Sequence, residues 1–162
     1  MSLSHGAIPA GGSPVRPFRI GLTGPIGCGK STVARWLVDR GGYRIDADEL
    51  AHAVTAPGEP AVAAIRRRFG PSIVPDSGVV DRAALAAIVF ADAAALHDLE
   101  AIVHPAVRSR VQAELEAAAN RGAPFVVIEA IKLVEAGLAA ECDEVWLLEC
   151  EPQQEAFRRL VR

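Results

Sequence analysis

Gly24-Pro25-Ile26-Gly27-Cys28-Gly29-Lys30-Ser31 satisfies the phosphate-loop pattern G-x-x-x-x-G-K-[ST] at every fixed position. Its flanks fit as well. The strand-like run Phe18-Arg19-Ile20-Gly21-Leu22-Thr23 precedes it, and a helix-like run from Ser31 to Arg40 follows. A strand, a glycine-rich turn and a helix in that order aim backbone N–H groups and a helix N-terminus at a phosphate. Gly24, Gly27, Cys28, Gly29, Lys30, Ser31 and Thr32 are therefore the expected nucleotide-binding set. Lys30 is expected to reach the β- and γ-phosphates of ATP, and the Ser31 hydroxyl to hold Mg²⁺. Cys28 reads as a small filler whose backbone N–H matters more than its sulfur.

Beyond the loop, Gly41-Gly42 stops the helix, and Tyr43-Arg44-Ile45 reads as a second strand ending at Asp46-Ala47-Asp48. In open α/β sheets ligands sit at the carboxyl ends of the strands. Asp46 and Asp48 are two apart, so both carboxylates can face one cleft. One can take a proton from an acceptor hydroxyl, and the other can bind Mg²⁺ or its waters. The plainer reading makes them turn residues that cap the next helix. A phosphate loop one helix upstream favours the chemical one.

The next region, residues 51–121, is rich in Ala and Arg and reads as almost wholly helical. Apolar residues recur at helical spacing from Ala61 to Phe69, and Pro71, Pro75, Asp76, Ser77 and Gly78 mark a loop. Asp81 is placed to cap a helix running through Phe90, and Asp92 to start another. Pro105 is expected to interrupt or restart a long helix that reaches Asn120. Sheet character returns at Pro124-Phe125-Val126-Val127-Ile128 and again at Glu144-Val145-Trp146-Leu147-Leu148. Such compact apolar runs suit buried parallel strands. Pro152 opens a final helix that runs to Arg162. The order is β-α-β, a helical insertion, then β-α-β-α. It predicts an α/β fold, a parallel sheet flanked by helices with the insertion after strand two. The expected organisation is a flexible leader at 1–17, a nucleotide-binding core at 18–50 and 122–162, and a substrate-binding insertion at 51–121.

The 162 residues suit one domain with a modest insertion, and 51% are hydrophobic, enough for a sizeable core. A net charge of −3 argues against a nucleic-acid partner. No apolar run has the length of a membrane span. The leader lacks the basic and apolar blocks of a signal peptide. Cys28, Cys142 and Cys150 are odd in number and form no C-x-x-C pair, which suggests neither a disulfide scaffold nor a zinc site. A cytoplasmic location follows as the expectation.

Other residues carry weaker signals. His104, before Pro105, is a candidate contact in the insertion, although a lone histidine is more often structural. Arg66-Arg67-Arg68 splay around a helix and read as mostly solvated. Arg158, Arg159 and Arg162 can close over phosphates as a lid, or form a solvated basic helix face.

Taken in order, these pieces resemble dephospho-CoA kinases from about Arg19 to the last residue. The resemblance rests on Gly21-Leu22-Thr23-Gly24-Pro25-Ile26-Gly27-Cys28-Gly29-Lys30-Ser31-Thr32 and on Ile45-Asp46-Ala47-Asp48-Glu49-Leu50-Ala51. Further pieces are Pro57-Gly58 with Phe69-Gly70, Asp81-Arg82-Ala83-Ala84-Leu85, the helix end at Phe90, and His104-Pro105. That family transfers the ATP γ-phosphate to the ribose 3′-hydroxyl of dephospho-CoA, completing coenzyme A. The resemblance implies a fold like nucleoside monophosphate kinases, with a five-stranded parallel core, a helical CoA-binding domain and a small lid. It makes Asp48 the catalytic base and Lys30 the group that stabilises the transferring phosphoryl. It makes Arg158 and Arg162 lid arginines, and it places Arg82 and His104 in the CoA-binding segments. The implied cofactors are ATP and Mg²⁺, with Ser31 and Asp46 as metal ligands. The implied partner is the small molecule dephospho-CoA, met by Asp46, Asp48, Arg82, His104 and Lys132.

Two departures accompany the resemblance. Where the family carries Val-Pro-Leu-Leu-x-Glu, this chain reads Ala130-Ile131-Lys132-Leu133-Val134-Glu135, so Lys132 becomes a candidate phosphate contact. The sequence also ends within the expected lid, before the family's fifth strand and terminal helix. Two alternatives stay open: a kinase for another small hydroxyl acceptor or nucleotide, and an ATP-binding module with little catalysis. A GTPase-like switch is disfavoured, since neither an Asp-x-x-Gly after strand three nor an Asn-Lys-x-Asp motif is present.

Overall fold

The structure is a computed structural model that describes residues 16–149. Four strands form one sheet: β1 (Phe18–Thr23), β2 (Tyr43–Asp46), β3 (Phe125–Glu129) and β4 (Glu144–Leu147). Their order is β2-β3-β1-β4, and every neighbouring pair is parallel. β3 occupies the central position its sequence suggests. Val126, Val127 and Ile128 are fully buried, as a strand covered on both faces requires. Val127 joins Leu22, Ala34 and Leu37 beneath α1 (Lys30–Val38). Val126 and Ile128 join Val107, Val111 and Leu115 of α5 (Ala93–Asn120) on the other face. Each such side chain contributes about 1.5–3 kcal/mol of burial. The sheet is therefore clamped between α1 and α5.

The topology creates the site. From β1 the chain passes through α1 to β2 and leaves room for β3 between them, while β4 lies on the other side of β1. The carboxyl end of β1 thus opens at the point where the strand order reverses, where ligands bind in such sheets. Gly24 is forced there by crowding: its φ is +142°, and a Cβ on it would lie 2.3 Å from the Leu148 carbonyl oxygen.

The insertion consists of α2 (Ala47–Ala53), α3 (Pro60–Phe69), α4 (Arg82–Ala91) and the first half of α5. It has its own core of Val62, Ile65, Ile73, Val74, Val80, Leu85, Val89 and Ala95. Its helix starts follow the acidic caps. Asp81 accepts from the Ala84 N–H at 2.9 Å and Asp92 from the Ala94 N–H at 2.8 Å, each such cap contributing about 1 kcal/mol.

Three expectations need correction. Pro105 does not interrupt or restart a helix, because α5 runs through it unbroken. The proline lies on the solvent side, as does Ala101, whose carbonyl loses its helical partner there. No α-helix links β3 to β4. Gly137, at φ +73°, turns the chain into a short 3₁₀ helix at Leu138–Glu141, with Leu133 and Leu138 pinned in the core. Of the leader expected over 1–17, Arg16 and Pro17 are described and both are held to the sheet. Arg16 pairs with Asp143 at 2.7 Å, and Pro17 is buried. The expected final helix, with Arg158, Arg159 and Arg162, lies outside the described residues. Among the described residues no helix is long and apolar enough to cross a membrane.

Candidate active site

α1 begins directly on the glycine loop. Its N-cap is Gly29 in the left-handed region, and no side chain caps it. That leaves the helix N-terminus for an anion. Around it opens a cavity of about 830 Å³, lined by loop residues 26–32 and by Arg44, Asp46, Asp48, His52, Glu129 and Ile131. The Cys28 sulfur is disulfide-bonded, an arrangement that the odd cysteine count did not suggest.

Lys30 is 7% exposed, and its ammonium donates to the carbonyls of Gly24 at 2.7 Å and Pro25 at 3.0 Å. The loop's own carbonyls thus hold the cation where a phosphate would otherwise take it. Ser31 donates its hydroxyl to Oε1 of Glu129 at 2.9 Å. Glu129 is 4% exposed and ends β3, where it stands in register with Asp46 of β2. Asp46 lies on the same wall, but the serine meets Glu129. One Asp46 oxygen accepts from the Glu49 N–H at 3.0 Å and caps α2, while the other pairs with Arg44. Asp46 therefore both caps α2 and lines the cavity.

Asp48 also faces the cavity. Its Oδ2 accepts from the Ile131 N–H at 3.2 Å. Burial pushes its carboxyl above the usual carboxylate range, the Ile131 N–H and Lys30 pull it down, and Asp46 and Glu129 push it up. A partly desolvated carboxylate with a raised pKa is a better proton acceptor than one in water.

Among the described residues the remaining candidates, Arg82, His104 and Lys132, do not line the cavity. Arg82 bonds to His52 Nδ1 at 2.8 Å and to the Thr55 hydroxyl at 2.9 Å, and so ties α4 to the end of α2. Lys132 pairs with Glu100 at 2.8 Å on the exterior. His104, on the same helix, is held below its ordinary pKa by burial, against the pull of Glu100. Of the arginine run, Arg66 pairs with Asp76 and Arg68 with Asp98. Two residues that sequence reasoning passed over are central here, Glu129 and Arg44. Glu129 carried a signal, as an acid closing the apolar run Phe125-Val126-Val127-Ile128.

Geometry of this kind suits phosphoryl transfer but does not by itself choose the acceptor. The model of a family described as dephospho-CoA kinase, CoaE, matches residues 18–162. The chain belongs to the dephospho-CoA kinase family. Dephospho-CoA kinase from Synechococcus sp. (strain CC9605) is 42% identical over 154 residues, 94% of this chain and 73% of that protein. The dephospho-CoA kinase of Symbiobacterium thermophilum is 43% identical over 143 residues, 88% of this chain and 60% of that one. The crystal structure of TT1252 from Thermus thermophilus superposes with a TM-score of 0.78 at 36% identity, covering 91% of this chain and 73% of that one. In keeping with that family, the chain has a parallel P-loop core, with four strands among the described residues.

Proposed function

We propose that this chain transfers the γ-phosphoryl group of ATP to the ribose 3′-hydroxyl of dephospho-CoA, forming coenzyme A. Membership of the family supports the reaction, and the cavity supports the roles of the residues. The observation that carries the assignment is a raised-pKa carboxylate, Asp48, across one cavity from the phosphate loop.

In this reading the N-terminus of α1 and the loop N–H groups receive the phosphates. Lys30 exchanges the carbonyls of Gly24 and Pro25 for phosphate oxygens and offsets the charge that develops on the transferring group. Asp48 accepts the proton of the 3′-hydroxyl, and the Ile131 N–H fixes which carboxylate oxygen stays turned away. Holding donor and acceptor in line supplies most of the rate enhancement. Arg158 and Arg162 are assigned to the lid on sequence alone.

The donors present fit magnesium. The Ser31 hydroxyl lies against a buried carboxylate, Glu129, with Asp46 beside it. Among the described residues no three His, Cys, Asp or Glu side chains form a self-sufficient metal cage. That suits Mg²⁺, which is usually held by one or two carboxylates together with substrate phosphates. When bound, the ion would neutralise charge on the β- and γ-oxygens.

Lys132, whose departure from the family pattern favoured another acceptor, points its charge at Glu100 rather than into the cavity. The acceptor surface beyond the cavity is assigned to Arg82 and His104, and the reaction to the cytoplasm, by the family reading. The test is acceptor-dependent ADP formation with Mg·ATP, comparing dephospho-CoA with nucleosides, nucleotides and small hydroxy acids. Turnover with dephospho-CoA supports the proposal. Turnover only with another acceptor overturns it, and ATP binding without any turnover favours a binding module.

A further inference from the structure

Three carboxylates crowd the carboxyl ends of β2 and β3. Asp46 and Glu129 stand side by side in register, and Asp48 follows two residues after Asp46, in the first turn of α2. Like charges so placed repel one another, and the repulsion grows as water is removed. The Glu129 side chain is 5% exposed and the Asp46 side chain 15%. A buried carboxylate needs both a counter-charge and hydrogen-bond donors.

Lys30 does not supply that charge, since its ammonium is turned onto the loop carbonyls. Arg44 supplies it. Its side chain is half-buried, and it lies two residues before Asp46, on the same face of β2. Its Nε donates to Glu129 Oε2 at 2.9 Å, and its terminal nitrogen reaches that oxygen at 2.8 Å and also Oδ2 of Asp46. The planar fork suits two acceptors at once. Among the described residues it is the only cation paired with either carboxylate. Every other oxygen of the pair is also taken, Glu129 Oε1 by Ser31 and Asp46 Oδ1 by the Glu49 N–H.

We infer that Arg44 is a positioning residue, a built-in counter-ion that pairs with Asp46 and Glu129 and holds them aligned until a divalent cation shares them. The inference rests on the reading that Ser31, Glu129 and Asp46 face the magnesium site. Arg44 touches no reacting atom. It opposes the ion electrostatically, and it spares the free enzyme the collapse of an unpaired acidic pocket.

The experiment compares wild type, Arg44→Met and Arg44→Lys, each saturated with ADP. Thermal midpoints are measured in EDTA and in excess Mg²⁺, and affinity is measured by titration with Mn²⁺ as the only divalent cation. Arg44→Met is expected to melt lower than wild type in EDTA and to recover most of that loss in Mg²⁺, whereas wild type changes little. Its Mn²⁺ affinity should rise about threefold, the size of coupling seen for part-exposed ion pairs. Arg44→Lys keeps the charge but not the fork, and should lie between the two. If Arg44→Met does not accumulate, Arg44→Lys decides by the same Mg²⁺-dependent recovery. An equal loss in EDTA and Mg²⁺, or no change in Mn²⁺ affinity, reduces Arg44 to a plain structural pair and overturns the inference. A failure of all three proteins to bind Mn²⁺ instead removes the metal site beneath it. The acceptor assay, run separately, decides the reaction itself.

Discussion

The Ser31 hydroxyl donates to Glu129 Oε1 at 2.9 Å, joining the last residue of the phosphate-loop pattern to the last residue of the central strand. The two groups act on one site, so their substitutions should not add. Ser31→Ala and Glu129→Gln are each expected to lower kcat about 10²-fold, the scale of losing one positioned polar group at such a centre. The double variant should be little worse than either single one. Steady-state kinetics across a Mg²⁺ series would check this, and full additivity would show that the contact has no catalytic meaning.

Asp48→Asn should abolish proton acceptance while leaving ATP affinity nearly unchanged, with kcat falling about 10²–10⁴-fold. Because burial raises the Asp48 pKa in the folded chain, this carboxylate contributes stability below its unfolded pKa. That contribution is lost as pH rises through the folded value. At neutral pH, Asp48→Asn should therefore be at least as stable as wild type. The acid limb of kcat/KM should lie above the ordinary carboxylate value of 3.8. Turnover that survives in Asp48→Asn would remove Asp48 as the base.

Ile131 stands where the family pattern has proline, and its N–H reaches Asp48. Ile131→Pro removes that donor and one of the influences that lower the Asp48 pKa. The acid limb should move to higher pH, with Ile131→Val as the control that keeps the N–H. An unmoved limb would mean the contact leaves the base untouched.

Cys142 is half-buried, and burial pushes its thiol up to about 11. Thiolate is the reactive form. At pH 8 Cys142 should resist iodoacetamide in the folded protein and react after denaturation, as read by mass spectrometry of its peptide. Rapid native labelling would contradict this packing.

Gly24→Ala would set a Cβ 2.3 Å from the Leu148 carbonyl oxygen at a φ of +142°. The clash is backbone against side chain, so it has no cheap escape. A loss of more than about 3 kcal/mol is expected in urea unfolding, together with loss of ATP binding. Near-normal stability would show that the β1–β4 approach is looser than described.

Much of this was legible because local chemistry acts locally. The phosphate loop, the caps Asp81 and Asp92, and the strands β3 and β4 each declare themselves within a few residues, although β4 is mostly exposed rather than buried as its apolar run suggests. Asp46 and Asp48 were legible by their place after a strand. Glu129 and Arg44 were less so, since their roles depend on β3 lying beside β2, a pairing between Asp46 and Glu129 that no short window contains. Pro105 misled for the opposite reason. The local rule disfavours a helix there, but packing on both sides of the proline keeps α5 continuous. Lys132 looked like a ligand by its charge, and only the fold reveals Glu100 beside it.

α5 belongs to two cores at once. Ala95 packs with the insertion, Val111 and Leu115 with the sheet, and Val103 touches both clusters. A beam built into two walls makes them one mechanical unit. The insertion cannot melt first without baring the half of α5 that roofs the sheet, so the two cores should unfold in a single cooperative step. One rung of the helix's hydrogen-bond ladder is missing at Pro105, close to Val103, where the two cores meet.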